Sequence, residues 1–227
     1  MDAAAPTSQS DPYAEARANM VDSQVRPNKV TDPRIIAAMR RIRRETFLPP
    51  ELRHLAYVDD DVALPHGRAL MVPMVIARLI QVAQPMLGER ALVVAAGVGY
   101  GASVLAACDV SVTALEEDPE LIALARAAMP AAAPNATLVT GKLADGWPAG
   151  APWDIVIIDG AVHDIPPAIA AQVKPHTGRL VTVMVGNGRV GQAVLAEPSS
   201  AGLSVQPVFD CNTPPIPAFL PAPGFVF

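Results

Sequence analysis

The chain has 227 residues, 51% of them hydrophobic and 17% charged, with a formal net charge of −5. Such a composition excludes a disordered chain, and the length allows one large domain with a substantial core. An acidic balance without any long basic region argues against a nucleic-acid partner, which would need a basic face to neutralise phosphates.

The first dozen residues read as a loose polar tail. "MDAAAPTSQSDPYAEA" has no basic n-region and no apolar h-region, so a signal peptide is not expected. No apolar run reaches the roughly 20 residues of a membrane helix, and a cytoplasmic location without membrane insertion is the simplest expectation. Cys108 and Cys211 stand far apart without a CxxC, and the four histidines form no HExxH, so neither a metal site nor a disulfide framework is expected.

Helical patterns run from Pro12 to Val25 and from Asp32 to Arg44. Asp32 is placed to cap the second, and Pro33 suits the first helical position, where its missing N–H would be unpaired anyway. Ile35, Ile36, Met39 and Ile42 share one face of that helix, and the Pro49-Pro50 pair is expected to stop it. The arginines Arg40, Arg41, Arg43 and Arg44 are expected as a solvated helix face or as ion-pair partners rather than a binding patch. A further apolar helix is expected from Pro73 to about Ala83.

From Ala91 the rhythm changes. Strands are expected at Ala91–Ala95, Ser111–Leu115, Thr137–Val139, Ile155–Ile158 and Arg179–Val185, with helices at Ala102–Ala107, Pro119–Ala128 and Pro166–Gln172. Apolar strands alternating with amphipathic helices imply a parallel sheet covered on both faces. The prolines of "FDCNTPPIPAFLPAPGFVF" exclude a helix after Ser204 and permit edge strands or extended packing.

The stretch "ALVVAAGVGYGASVLAACDVSVTALEEDPE" reads strand, glycine turn, helix and a second strand ending in an acid. Such a turn brings backbone N–H groups and a helix N-terminus to a ligand, with Gly97 and Gly99 free to take positive φ. Glu116 falls about 20 residues on, where a carboxylate accepts from ribose hydroxyls. The arrangement suits a dinucleotide or S-adenosylmethionine; alternatively, the glycines only let helix and strand pack closely. About 90 residues before the turn and about 125 after it leave little room for a second nucleotide-binding half and a substrate domain. Asp159-Gly160 ends the fourth strand at the edge where ligands sit, and the acid suits either a helix cap or a contact. Asp154 belongs to the fold, at the start of its strand.

The segment before the turn contributes Met20-Val21, then Asp32 to Met39, Arg44-Glu45-Thr46-Phe47-Leu48-Pro49, Ala56-Tyr57-Val58-Asp59 and Gly67 to Pro73. Downstream come "GKLADGWPAGAPWDIVIIDGAV" and "QVKPHTGRLVTVM". In this order and spacing the chain resembles the protein-L-isoaspartate O-methyltransferase family from roughly Met20 to Val185. The resemblance implies an α/β, doubly wound, Rossmann-like S-adenosylmethionine-dependent methyltransferase fold with a helical N-terminal extension. Residues 1–12 would form the tail, 13–90 the extension and 91–227 the core with its proline-rich C-terminal segment, as a single domain overall.

It also implies S-adenosyl-L-methionine as cofactor and isoaspartyl-containing proteins or peptides as partners, in protein repair. Cofactor contacts are expected at Ala95, Ala96, Gly97, Gly99, Glu116, Lys142 and Leu143, and substrate contacts at His66, Met71, Val72 and Pro73. The chain departs from the family pattern in three places. Met71 stands where the family has a serine, leaving the catalytic position unassigned, and Val93 and Ala95 fall where an acid precedes the first glycine. Lys142 stands where an aspartate would hold the adenine amino group, and it cannot accept that hydrogen bond. Asp145-Gly146 matches the later glycine-tryptophan position. The alternative is a catalytically degenerate member of the fold that serves as a protein-binding scaffold.

Overall fold

A computed structural model of the chain describes residues 11–186 and 190–220. The predicted tail therefore lies mostly outside the described residues, as do the last seven. Helix α1 (Ala14–Met20) continues as one π-helical turn, Val21–Val25. Helix α2 (Pro33–Arg41) begins as expected, with the Asp32 carboxylate accepting from the Arg34 N–H.

It ends earlier than expected. Ile42 is extended, and Arg44–Phe47 and Pro50–Leu55 are short 3-10 turns. Ile42, Arg44, Glu45, Phe47 and Leu48 are all buried, and at helical spacing they would point in every direction. The arginine run needs a matching correction. Arg40 pairs with Asp22, and Arg43 with Asp11 and Glu45, but Arg44 has no exposed surface. Its guanidinium donates to the carbonyls of Ala56 and Met71 at 2.8 and 2.6 Å and lies 4.6 Å from the Tyr100 ring centre. Carbonyl dipoles and an aromatic face thus meet much of the buried cation, while Arg44 Nη1 has no hydrogen-bond partner among the described residues.

A small antiparallel hairpin follows, β1 (Val62–Ala63) with β2 (Ala69–Leu70), and then α3 (Pro73–Val82). The chain next alternates β3 (Arg90–Val94), α4 (Tyr100–Ala106), β4 (Ser111–Glu116), α5 (Pro119–Ala132), β5 (Thr137–Thr140), β6 (Ile155–Val162), α6 (Pro167–Ala170) and β7 (Arg179–Met184). Pro130 falls in the last turn of α5, which runs on only to Ala132. The helix at 167–170 is a single turn, shorter than expected.

Two strands were not legible in the sequence as such: β8 (Gln192–Ser199) and β9 (Gly202–Asp210), an antiparallel hairpin carrying Pro198 and Pro207. The sheet order is β5-β4-β3-β6-β7-β8-β9, parallel from β5 to β7. Pro207 sits on the edge strand beside a register shift, where its missing donor costs no ladder bond. Along β3, Ala91 and Val93 enter one apolar cluster with the N-terminal helices, while Leu92 and Val94 enter the cluster on the other face. Burial on both faces explains the continuous apolar strands.

Candidate functional site

The carboxyl ends of β3, β4 and β6 define the site. After β3 the chain turns through Ala95, Gly97 and Gly99 with φ of +58, +57 and +88°. Ala95 holds a left-handed conformation without being glycine, a strain of the kind found at ligand turns. The Gly97 N–H donates to Glu116 Oε2 at 2.7 Å. Gly99 caps α4, and a Cβ there would lie 2.5 Å from Met129 Sδ on α5. Its requirement for glycine is therefore helix packing and φ, not room for a ligand.

Glu116 has no exposed surface. Besides Gly97, the N–H groups of Glu117 and Asp118 donate to it at 2.9 and 3.1 Å. Arg68 Nη1 reaches both of its oxygens at 3.1 Å, and Arg68 Nη2 donates to the Ala95 carbonyl at 2.7 Å. The side chain of Arg68 is 6% exposed. It thus bridges the glycine turn to the acid that ends β4, across the place expected for a ribose.

Local backbone explains how Arg68 gets there. His66 and Gly67 are both left-handed, at +57 and +71°, and the tight loop between β1 and β2 closes with the Leu64 N–H on the Arg68 carbonyl. His66 points outward from the same loop, and its Nδ1 meets Asp118 Oδ2 at 2.5 Å. Against the effect of burial, bonds from the Leu121 N–H and from His66 hold the Asp118 carboxyl below its usual range.

The other predicted residues are divided. Leu143 is buried beside Glu116, and its N–H donates to Glu117 Oε2 at 3.0 Å. Lys142 is exposed, consistent with a cation that has no acceptor to meet inside. Ala96 is buried and pairs its N–H with the Leu115 carbonyl. Met71 and Pro73 are buried and Val72 half-buried; Met71 turns its thioether into the core, so its side chain offers nothing to a substrate. The Val72 N–H donates to Asp61, whose carboxyl burial pushes up.

Asp159 falls within a register shift between β6 and β7, which redirects the strand end. Its Oδ2 lies 2.7 Å from where a Cβ on Gly101 would be. Burial pushes its pKa up to about 7, against the pull of Arg68 and Arg44. Its sequence position suits a cap or a contact, and no backbone N–H among the described residues donates to its side chain.

A C-terminal strap crosses this edge. Ala161 bridges Pro215 in parallel, and the Ile216 N–H donates to the Ala161 carbonyl at 2.8 Å. Ile216 is 2% exposed and packs on Gly160, and Thr213 donates to Asp61. Beneath the strap is a pocket of about 150 Å3 whose lining includes His66, Arg68, Glu116, Leu143, Ile216 and Pro217. Grooves of about 560 and 320 Å3 lie elsewhere, near Thr31–Arg34 and near Arg41–Arg43. The smaller pocket is the candidate because the glycine turn, the buried acid and the strand ends converge on it. Arg68, Glu117, Asp159 and the strap were the parts missed or unresolved in the sequence. Arg68's one signal was an arginine flanked by apolar residues in "GRALMVP".

A glycine turn and a strand-end acid at the edge of a mostly parallel sheet define a Rossmann-like, S-adenosylmethionine-dependent methyltransferase fold. A crystal structure assigned as a protein-L-isoaspartate O-methyltransferase of Plasmodium falciparum, in complex with S-adenosyl-L-homocysteine, superposes with a TM-score of 0.72. That match covers 87% of this chain and 96% of that one at 16% identity, and it speaks for the fold. Residues 15–207 match the protein-L-isoaspartate(D-aspartate) O-methyltransferase family, and the chain belongs to it. The protein-L-isoaspartate O-methyltransferase of Methylorubrum extorquens is 38% identical over 74% of this chain and 73% of its own. That of Koribacter versatilis is 31% identical over 90% and 91%.

Proposed function

We propose that the protein is an S-adenosylmethionine-dependent carboxyl methyltransferase that acts on isoaspartyl residues in damaged proteins. The observation that carries this reading is the Gly97–Glu116 pair, set in a chain that matches the family over residues 15–207. The glycine turn offers backbone with little side chain, and Glu116 offers two acceptor oxygens to a vicinal diol. Glu116 is held by the Gly97 N–H and by Arg68, and the Arg68 side chain can swing aside where backbone cannot. On this test the residues fit the cofactor. Ala95 to Gly99 and Glu116 would hold it, with Leu143 and Ile216 as apolar walls.

When bound, the cofactor supplies a methyl group on a cationic sulfonium, which a carboxylate oxygen can take without any proton being moved. The protein's own task is then positioning and the exclusion of water. An isoaspartyl carboxylate is already ionised at neutral pH, so no strong general base is needed. The strap over β6 is well placed to keep water out. Free, buried Cys108 and Cys211 support a reducing compartment, and we place the protein in the cytoplasm. No helix among the described residues is long and apolar enough to cross a membrane.

The test is methyl incorporation from labelled cofactor into an isoaspartyl peptide, beside its normal aspartyl isomer. Selective labelling of the first is expected. Titration with S-adenosylhomocysteine without any labelling would instead favour the scaffold reading, in which the fold binds a protein partner and no longer catalyses.

A further inference from the structure

Arg68 is a cation in an unusual position. Its guanidinium is almost wholly buried and is committed to Glu116 and to the Ala95 carbonyl. Both contacts belong to the turn and acid that the proposed function gives to the cofactor. A ribose diol donating to Glu116 would take the oxygens that Arg68 now holds. The guanidinium would then lose its carboxylate while still surrounded by protein, and a buried, unpaired cation is strongly unfavourable. It would need another anion.

The neighbourhood offers few. Glu117 is engaged by the Leu143 N–H, and Asp118 by His66 and the start of α5. Asp159 lines a narrow gap with Arg68, Gly67 and Thr213, but burial raises its pKa to about 7, so its carboxyl is only half ionised at pH 7. In the segment expected to meet the carboxylate that is to be methylated, Met71 is packed in the core and His66 is already engaged by Asp118. Arg68 stands in that same segment, three residues before Met71.

We propose that Arg68 is the residue that binds the substrate carboxylate, and that it is held on Glu116 until the cofactor's ribose displaces it. This rests on the methyltransferase reading. Cofactor binding would then prepare the substrate site, because the same event that fills the ribose position releases the guanidinium. Substrate would bind second, and the two ligands would be coupled through one side chain. A planar fork suits the task, since it can exchange one carboxylate for another in similar geometry.

Two variants, Arg68→Gln and Arg68→Lys, test it against the native chain. S-adenosylhomocysteine titrated calorimetrically should bind Arg68→Gln about tenfold or more tightly than native, because the competitor for Glu116 is gone. The KM for an isoaspartyl peptide should rise about tenfold or more, with a smaller change in kcat. Arg68→Lys should fall between on both measures, since an ammonium keeps the charge but not the fork, and it carries the comparison if Arg68→Gln does not fold. A native chain that labels the peptide, with variants unchanged in both affinity and KM, would overturn the proposal and leave the function standing. Tighter cofactor binding with an unchanged peptide KM would overturn the substrate contact and point to Asp159 as the released partner. If neither native nor variant binds S-adenosylhomocysteine, the proposal and the function fall together.

Discussion

Gly99 and Met129 are fitted to one another: the Cβ that Gly99 lacks would stand 2.5 Å from the Met129 sulfur, on a backbone with φ of +88°. Two separate costs therefore attend Gly99→Ala. The left-handed backbone is worth about 1–3 kcal/mol for a non-glycine residue, and the contact with Met129 adds to it. Denaturant unfolding of Gly99→Ala in the native and the Met129→Ala backgrounds separates them. The penalty should shrink in the second background without vanishing. Equal penalties in both would show that Met129 simply moves aside.

Glu116 and Arg68 predict a pronounced non-additivity. Glu116→Ala leaves a buried guanidinium without its carboxylate, which should cost about 3–5 kcal/mol of stability. Arg68→Met in the same chain removes the orphaned charge, and much of that loss should return. Unfolding free energies for the two single variants and the double give the coupling. A simple sum would mean that the pair relaxes into solvent when broken.

Much of this was readable in advance because it is local. The apolar strands, the Asp32 cap with Pro33 behind it, and the glycine turn each follow from a few adjacent residues. What was not readable depends on residues far apart in the chain. Nothing around Arg44 says that carbonyls at Ala56 and Met71 and the ring of Tyr100 will close over it. Arg68 meets Glu116 across 48 positions, and Thr213 meets Asp61 across 152. The β8–β9 hairpin was obscured because Pro198 and Pro207 interrupt a strand pattern, and only the finished sheet shows that Pro207 lies at an edge.

Asp159 should make stability fall with rising pH over a defined window. Its carboxyl has a pKa of about 7 in the folded chain, against 3.8 for an unperturbed aspartate. Between those values the native state holds a proton that the unfolded state has released. Its share of stability is therefore full at low pH, declines from about pH 4 to about pH 7, and is flat above. Asp159→Asn cannot titrate, so it should exceed the native chain at pH 8 by about 1–3 kcal/mol. That advantage should close toward pH 4. Thermal unfolding across this range checks it, and curves that stay parallel would show that Asp159 does not carry a raised pKa.

Met71 and Lys142 are two of the positions where the family has other residues. Met71→Ser would give the segment its hydroxyl, and Lys142→Asp would give the turn after β5 its acid. The two substitutions meet very different surroundings. Met71 is 1% exposed and packed in the core, so serine would leave a cavity and bury a hydroxyl. A cost of about 2–5 kcal/mol follows from comparable truncations. Lys142 is exposed, and Lys142→Asp should change stability by no more than about 0.5 kcal/mol. Neither should raise peptide labelling much, because the Met71 side chain is packed in the core and neither residue lines the pocket. Labelling rates and unfolding midpoints for the singles and the double provide the check. A large gain in labelling from Met71→Ser at unchanged stability would mean that this segment turns toward the substrate, and that the hydroxyl rather than Arg68 is what the carboxylate needs.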